Sequence, residues 1–237
     1  MASSTAKAAP LYRYERKFVL EGASTATLLQ RIASHPLLFI RPYPPRRVNN
    51  VYLDTPLLRD FFNNVDGNAS RRKTRIRWYG DLFGPVGRAR LEFKIKRGLV
   101  GTKQSFPLKP FIATRAMSSD IVRDILRQSD LPAEILSETT SLESSLINQY
   151  YRYYFASADG RFRLTLDEDV TFFPIATRAH SLLGQVQEGE KHILELKYAP
   201  EHEPQAHQVP DALGLRIARN SKYAVGIAAC RFHGTLI

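Results

Sequence analysis

The chain has 237 residues, enough for one domain with a sizeable core and short for two. Its hydrophobic fraction of 43% and aromatic fraction of 11% exclude a disordered polymer, and no apolar run approaches the roughly 20 residues of a membrane helix. The formal net charge is +11, and between Arg71 and Lys109 stand twelve Lys or Arg residues against two acids, Asp81 and Glu92, while the rest of the chain is nearly neutral. A basic block of that density calls for an anionic partner: nucleic acid, an acidic membrane surface or a phosphate-rich small molecule.

In chain order, residues 1–10 are small and polar, lack the apolar stretch of a secretory signal, and read as a flexible tail ahead of a single domain over residues 11–237. Residues 12–20 alternate as a strand. Residues 24–33 carry apolar side chains at helical spacing, with Ser24 placed to cap them. A strand over 48–53 ends at Asp54-Thr55-Pro56, where Asp54 reads as a turn residue, and 56–63 forms a short helix. Residues 72–79 and 88–96 alternate again, and a turn over 97–101 leads into a strand over 102–108. Helices are expected over 118–127, with Ile121, Val122 and Ile125 on one side, and over 132–146. Strands over 149–156 and 161–166 flank Asp159-Gly160, a hairpin signal. Strands over 170–173 and 192–198 and a helix over 221–230 close the chain. The single cysteine, Cys230, falls in that apolar helix as a core residue. One cysteine allows no internal disulfide, and a reducing compartment, the cytoplasm, is expected. Many hairpin-linked strands and few helices predict an α+β fold, a mainly antiparallel sheet or barrel with helices packed outside.

The strands repeat one pattern. Successive side chains point to opposite faces. Arg75 and Arg77 therefore share a face opposite Ile76 and Trp78, and Glu92, Lys94 and Lys96 a face opposite Phe93 and Ile95. Arg161 and Arg163 stand opposite Phe162 and Leu164, Glu195 and Lys197 opposite Leu194 and Leu196, and Arg13, Glu15 and Lys17 opposite Tyr14 and Phe18. An ordinary solvated face mixes neutral and oppositely charged side chains. Here cations dominate, and across a closed barrel they repel unless an anion sits among them. A basic-lined barrel holding a polyanion accounts for the pattern.

These residues also carry a family resemblance. Tyr14-Glu15-Arg16-Lys17-Phe18, Val51-Tyr52-Leu53-Asp54-Thr55, Arg75-Ile76-Arg77-Trp78-Tyr79-Gly80, Leu91-Glu92-Phe93-Lys94, Tyr150-Tyr151-Arg152, Arg163-Leu164-Thr165-Leu166-Asp167, Leu194-Glu195-Leu196-Lys197 and Ser221-Lys222-Tyr223 span nearly the whole chain. Their order resembles the triphosphate tunnel metalloenzymes, and within them the VTC domain, the catalytic domain of the vacuolar transporter chaperone polyphosphate polymerases. The resemblance implies a tunnel of antiparallel strands with helices outside. It implies transfer of the terminal phosphoryl group of ATP to a growing polyphosphate chain, with a divalent cation, Mn2+ or Mg2+. Carried over by motif, the catalytic cations are Lys17, Arg75, Arg77, Lys94, Arg152, Arg163 and Lys222. Lys103, Tyr150, Ser221 and Lys197 contact substrate. Glu195 holds the metal, with Glu15 and Glu92 as further candidates that an ion pair with neighbouring cations explains equally. Ser221 also reads as a helix cap, and Trp78 and Tyr79 as packing residues. Phosphoryl transfer spreads charge over peripheral oxygens, so cations and positioning supply most of the catalysis.

One departure narrows the branch. The hydrolases of the superfamily start with a Glu-x-Glu-x-Lys strand, and here those letters are Arg13-Tyr14-Glu15-Arg16-Lys17. A cation in place of the first acid weakens a two-carboxylate metal site and favours polymerase over triphosphatase. The expected partners are ATP, triphosphate and polyphosphate. Nucleic acid is not expected, because Glu92 and Glu195 stand among the lysines, and any membrane partner belongs to another chain. A metal-dependent inorganic or nucleoside triphosphatase and a non-catalytic polyphosphate or nucleotide binder remain the alternatives.

Overall fold

Eight antiparallel strands close on themselves in the computed structural model, which describes residues 12–114, 117–175 and 185–232. The tail expected over residues 1–10 lies outside the described residues. The strands are β1 (Arg13–Glu21), β2 (Arg46–Asp54), β3 (Ser70–Tyr79), β4 (Gly84–Val86), β5 (Ala89–Arg97), β6 (Val100–Leu108), β7 (Phe111–Ala113), β8 (Glu143–Ala156), β9 (Phe162–Pro174), β10 (Val186–Gln187) and β11 (Lys191–Tyr198). The barrel runs β9-β11-β1-β6-β5-β3-β2-β8, and β8 pairs back onto β9. β10 adds to the free edge of β9, and β4 and β7 pair separately.

The helices are α1 (Thr25–Ala33), α2 (Arg59–Val65), α3 (Ser119–Gln128), α4 (Ala133–Thr140), α5 (Gln208–Leu213) and α6 (Lys222–Arg231). The serines at 24, 118 and 221 accept hydrogen bonds from the first turns of α1, α3 and α6, as N-caps do. The hairpin expected at Asp159-Gly160 forms: Asp159 Oδ1 accepts from Arg161 N at 3.0 Å, and Gly160 takes φ 73°. Arg161 is thereby a turn residue, and β9 starts at Phe162.

Two expectations are corrected. The helix over 132–146 stops at Thr140, because the Thr139 and Thr140 hydroxyls bond back to the Ile135 and Leu136 carbonyls at 2.7 and 2.8 Å. Such bonds compete with continued helix, and β8 begins soon after, at Glu143. The strands over 161–166 and 170–173 are one strand, β9. Its pairing with β8 shifts register between Gln149 and Tyr151, and Asp169 takes φ 52°.

Three apolar clusters hold the helices. Ile76, Trp78, Leu91 and Phe93 pack outward with Val122, Ile125 and Leu126 of α3. Phe18, Leu164, Leu166, Leu194 and Leu196 pack outward with Leu28 and Ile32 of α1 and Val209 and Leu213 of α5. The third cluster differs: Val48, Tyr52, Leu146, Tyr150 and Ile193 share their faces with the polar residues Asn50, Arg152 and Glu195, and they pack against Tyr223 and Ile227 of α6. α6 thus covers an apolar stretch of the inward face and brings its N-terminus to the polar stretch. Gly226 makes this approach feasible, since a Cβ there would lie 2.5 Å from Phe172 Cδ1.

Candidate functional site

The polar stretch lines a partly open cavity of about 120 Å3. Seven cations line it, Arg13, Arg75, Arg77, Lys94, Lys103, Arg152 and Lys197, against two carboxylates, Glu15 and Glu195. Strand alternation on β1, β3, β5, β6, β8 and β11 delivers them, with their apolar neighbours in the outward clusters.

Carboxylates buried at the wall organise all of these cations but Arg13 into three groups. Glu92 Oε2 accepts from Arg75 Nε and Nη2 at 2.9 and 2.7 Å, and Oε1 from Lys103 Nζ at 2.8 Å. Arg77 Nη1 stands 3.8 Å from the same carboxylate. Burial alone would raise the Glu92 carboxyl, but Arg75, Arg77 and Lys103 hold it far below the usual range. Arg77 then donates to Asn50 Oδ1 and Tyr150 OH, each at 2.8 Å. Against burial, Arg152 and Arg77 pull the Tyr150 phenol below its ordinary pKa.

The second group spans β1, β5 and β11. The register sets Lys17 opposite Glu195 and Glu15 opposite Lys197. Lys94 pairs with Glu15 and Lys197 with Glu195, and Lys17 Nζ lies 3.8 Å from Glu195 and 3.9 Å from Glu15. Burial is the largest influence on Lys17 and lowers it to about 8, with Glu195 pulling the other way. Lys94, Lys197 and Lys17 overcome burial and keep Glu195 well below the ordinary carboxyl range. Glu15 is likewise lowered, against both burial and the neighbouring Glu195 charge, by Lys94, Lys197 and Lys17.

The third group is the most buried. Asp167 on β9 accepts from Arg152 Nη2 at 2.7 Å and pairs with Lys222 at the start of α6. Burial opposes its ionisation, yet Arg152 and Lys222 bring its pKa down to about 2. The Lys222 ammonium also sits 4.7 Å from the Tyr150 ring centroid, close enough for cation–π attraction.

A closed antiparallel barrel with a cation-rich, carboxylate-braced interior now stands beside one decisive comparison: the VTC domain matches residues 12–231. The chain belongs to the VTC domain family. No curated protein sequence matches it. Among solved structures it is similar to a "putative adenylate cyclase" of Vibrio parahaemolyticus, at 11% identity and TM-score 0.52, covering 90% of this chain and 96% of that one. It is also similar to a protein of Pyrococcus horikoshii at 13% identity and TM-score 0.48, covering 90% and 96%. A second "putative adenylate cyclase", from Bacillus halodurans, gives 13% and 0.47, covering 88% and 93%. At such identities the first likeness speaks to the fold alone.

Within this VTC domain, Arg75, Arg77, Lys94, Lys103, Arg152, Lys197, Glu15 and Glu195 meet at one cavity, and Lys17 joins them through Glu15 and Glu195. Glu92 sits beneath them as the ion-paired brace. Tyr150 and Lys222 connect to the cavity through Arg77 and through Asp167 and Arg152. Ser221 caps α6 and also accepts from Lys73 Nζ at 2.6 Å. Arg163 stands apart: its Cα faces Lys197 in the β9–β11 register, but it is exposed and outside the cavity lining. Sequence reasoning missed Asp167 and Lys73. Both were marked by alternation, Lys73 two residues before Arg75 and Asp167 two after Thr165 at the end of the Arg163-to-Asp167 motif, but neither was given a role. Asp54 is no simple turn residue: fully buried, it accepts from the Asp60 and Phe61 amides at 2.9 Å and from the Tyr223 hydroxyl. It ties α2 and α6 to β2.

Proposed function

We propose that this VTC domain, acting as one unit over residues 11–237, is a polyphosphate polymerase. It moves the terminal phosphoryl group of ATP onto a polyphosphate chain within the barrel. The observation that carries the reading is the set of seven cations lining one cavity with only two lining carboxylates. Free triphosphate bears more negative charge than those carboxylates. Its oxygens can therefore exchange places with them, each gained contact being a charge-assisted hydrogen bond. Arg75, Arg77 and Arg152 offer forked donors that orient phosphate, and Lys94, Lys103, Lys197 and Lys17 offer point charges that follow it. Because Glu92 and Asp167 fix Arg75 and Arg152 beforehand, little reorganisation is needed as charge develops on the transferred group.

The donor set also fits a divalent cation. Glu15 and Glu195 are hard oxygen donors, both held ionised and both lining the cavity. Mg2+ or Mn2+ is commonly held by one or two carboxylates plus substrate phosphate. Among the described residues no cluster of three or more His, Cys, Asp or Glu is present, so Glu195, with Glu15, would share the ion with phosphate oxygens. When bound, the ion would neutralise charge between adjacent phosphates. Arg13, where the hydrolase motif has its first acid, lines the same cavity and adds a cation there instead of a ligand. That supports transfer to phosphate over activation of water. No helix among the described residues is long and apolar enough to cross a membrane, and we assign the domain to the cytoplasm, where its one cysteine stays reduced.

The test is incubation of the purified protein with ATP and Mn2+, reading ADP and chain length. Long-chain polyphosphate with stoichiometric ADP is expected. Release of orthophosphate alone would replace the polymerase with a triphosphatase of the same fold, and tight triphosphate binding without turnover would leave a binding module.

A further inference from the structure

Beyond the cationic ring the inward face changes character. Tyr79 follows Arg77 on β3 and Tyr154 follows Arg152 on β8, each two residues along, and Arg46 is the register partner of Arg152. Two strand residues span about 7 Å, so these groups form a tier one step from the guanidiniums of the cavity. The Arg46 guanidinium carbon lies 4.0 Å from the Tyr79 ring centroid, 4.9 Å from that of Tyr154 and 5.8 Å from that of Tyr43. Its Nε donates to Tyr154 OH at 3.2 Å. The Tyr43 and Tyr154 rings meet edge to face at 5.9 Å. Tyr43 and Tyr79 nevertheless stay 58% and 43% exposed.

We propose that this tier is a nucleobase platform: the base of a nucleoside triphosphate stacks on the open faces of Tyr79 and Tyr43 while its phosphates occupy the cationic ring. The proposal rests on the function proposed above and adds the nucleoside end of the substrate to it. The chemistry of the tier separates it from a further phosphate site. A phosphate has no face to stack, and the cation held among these three rings, Arg46, is already covered by them. A base has two faces, and the step of about 7 Å leaves room for a ribose between ring and phosphate. Arg46 fixes the tyrosines before any ligand arrives, which lowers the ordering cost of binding. Rings and a guanidinium stack on every base, and among the described residues Arg46 forms no hydrogen bond or ion pair with an Asn, Gln, Asp or Glu side chain that could read a base edge, so the platform accepts adenine and guanine alike.

Calorimetric binding of ATP, GTP and inorganic triphosphate to the wild type, Tyr79→Ala, Tyr79→Phe and Tyr43→Ala tests this. Tyr79→Ala should weaken ATP and GTP by roughly tenfold, with a smaller loss for Tyr43→Ala, because a base stacked on an aromatic contributes at about that level. Tyr79→Phe should retain nucleotide affinity, and inorganic triphosphate should bind every variant as it binds the wild type. Equal loss for nucleotide and triphosphate, or unaltered nucleotide binding in both alanine variants, overturns the platform while leaving the phosphate site intact. A wild type that binds neither ATP nor triphosphate overturns the proposed function, and the platform with it.

Discussion

Lys73, in mid-β3, donates to Ser221 Oγ at 2.6 Å, and the same oxygen accepts from Ala224 N at 3.2 Å to cap α6. Among the described residues Lys73 forms no ion pair with a carboxylate. Burial is the largest influence on it and, with Lys17 and Lys94 nearby, drives its pKa well below 10.5. The side chain is therefore a poorly stabilised cation next to a helix N-terminus, a place that favours an anion. Lys73→Met keeps the apolar stem and removes the charge. Triphosphate affinity should fall roughly tenfold, the scale of one charge-assisted hydrogen bond, while the ligand-free protein melts no lower than the wild type. A melting point several degrees lower with unchanged affinity would make Lys73 a structural tie between β3 and α6.

Asp167 gives the opposite balance. It is fully buried and braces both Arg152 and Lys222. Asp167→Asn leaves two buried cations short of their counter-charge and should cost on the order of 3–5 kcal/mol of stability. Its pKa, about 2 against an ordinary 3.8, is depressed on folding. The stability it supplies is thus present above pH 3.8 and lost as pH falls through about 2. Urea unfolding between pH 2 and 5 should show a slope in the wild type that is reduced in the Asn variant, the remainder coming from Glu92, Glu15 and Glu195, which are also lowered on folding.

Lys17 links binding to protons. Its pKa near 8, below the ordinary 10.5, means that the folded protein holds fewer protons than the unfolded chain between those values, so this group adds stability as pH rises from about 8 to 10.5. Binding of a polyanion favours the charged form and should raise the pKa again. At pH 8.5 triphosphate binding should therefore take up protons, measured as binding enthalpies that vary with the ionisation enthalpy of the buffer. Lys17→Met should reduce that uptake. Equal uptake in both proteins would assign it elsewhere, with Lys73 the next candidate.

Arg75 and Arg77 point into the cavity, away from the packed core, where a side chain need carry no structural tie. Arg75 instead makes two hydrogen bonds to Glu92, which is 2% exposed. Arg75→Ala should lose both stability and turnover. Arg77→Ala, whose tie to Glu92 is the longer one at 3.8 Å, gives up instead its 2.8 Å hydrogen bonds to the buried Asn50 and Tyr150 and should also lose both. Removal of one preorganised donor corresponds to about 2–4 kcal/mol in transition-state stabilisation. Urea midpoints beside single-turnover rates separate the two effects.

Much of the barrel was legible because its signal is local. Alternation such as Arg75-Ile76-Arg77-Trp78 fixes which side chains face inward once the strand exists, and Ser24, Ser118 and Ser221 marked helix starts that the structure keeps. Less legible was everything decided by contact across the barrel. The repulsion among inward cations was expected to need an outside anion, yet Glu92, Glu15, Glu195 and Asp167 already supply part of the counter-charge. Arg163 shares the pattern of the other cations but falls near the barrel end, exposed, because position along a tilted strand is invisible to alternation. The apolar inward residues Val48, Tyr52 and Ile193 make sense only once α6 is placed against them.

Glu195 remains the sharpest test of a metal role against charge balance. It sits 5% exposed, paired with Lys197 and 3.8 Å from Lys17, and those cations together with Lys94 keep it ionised throughout the physiological range. Glu195→Gln preserves shape and removes the charge. If Glu195 only balances the lysines, the variant frees Lys197 and Lys17 for phosphate, so metal-free triphosphate binding tightens and the Mn2+ dependence of turnover stays put. If it holds the ion with Glu15, the Mn2+ concentration for half-maximal rate should rise at least tenfold, because one of only two protein ligands is gone. The maximum rate should fall with it, while triphosphate binding in chelator persists or strengthens. The second pattern is the expected one. A manganese titration of turnover, paired with calorimetry in chelator, reads both quantities in the same two proteins. Unchanged manganese dependence with normal turnover would remove Glu195 from the metal site and leave it as the counter-ion that keeps Lys17 and Lys197 apart.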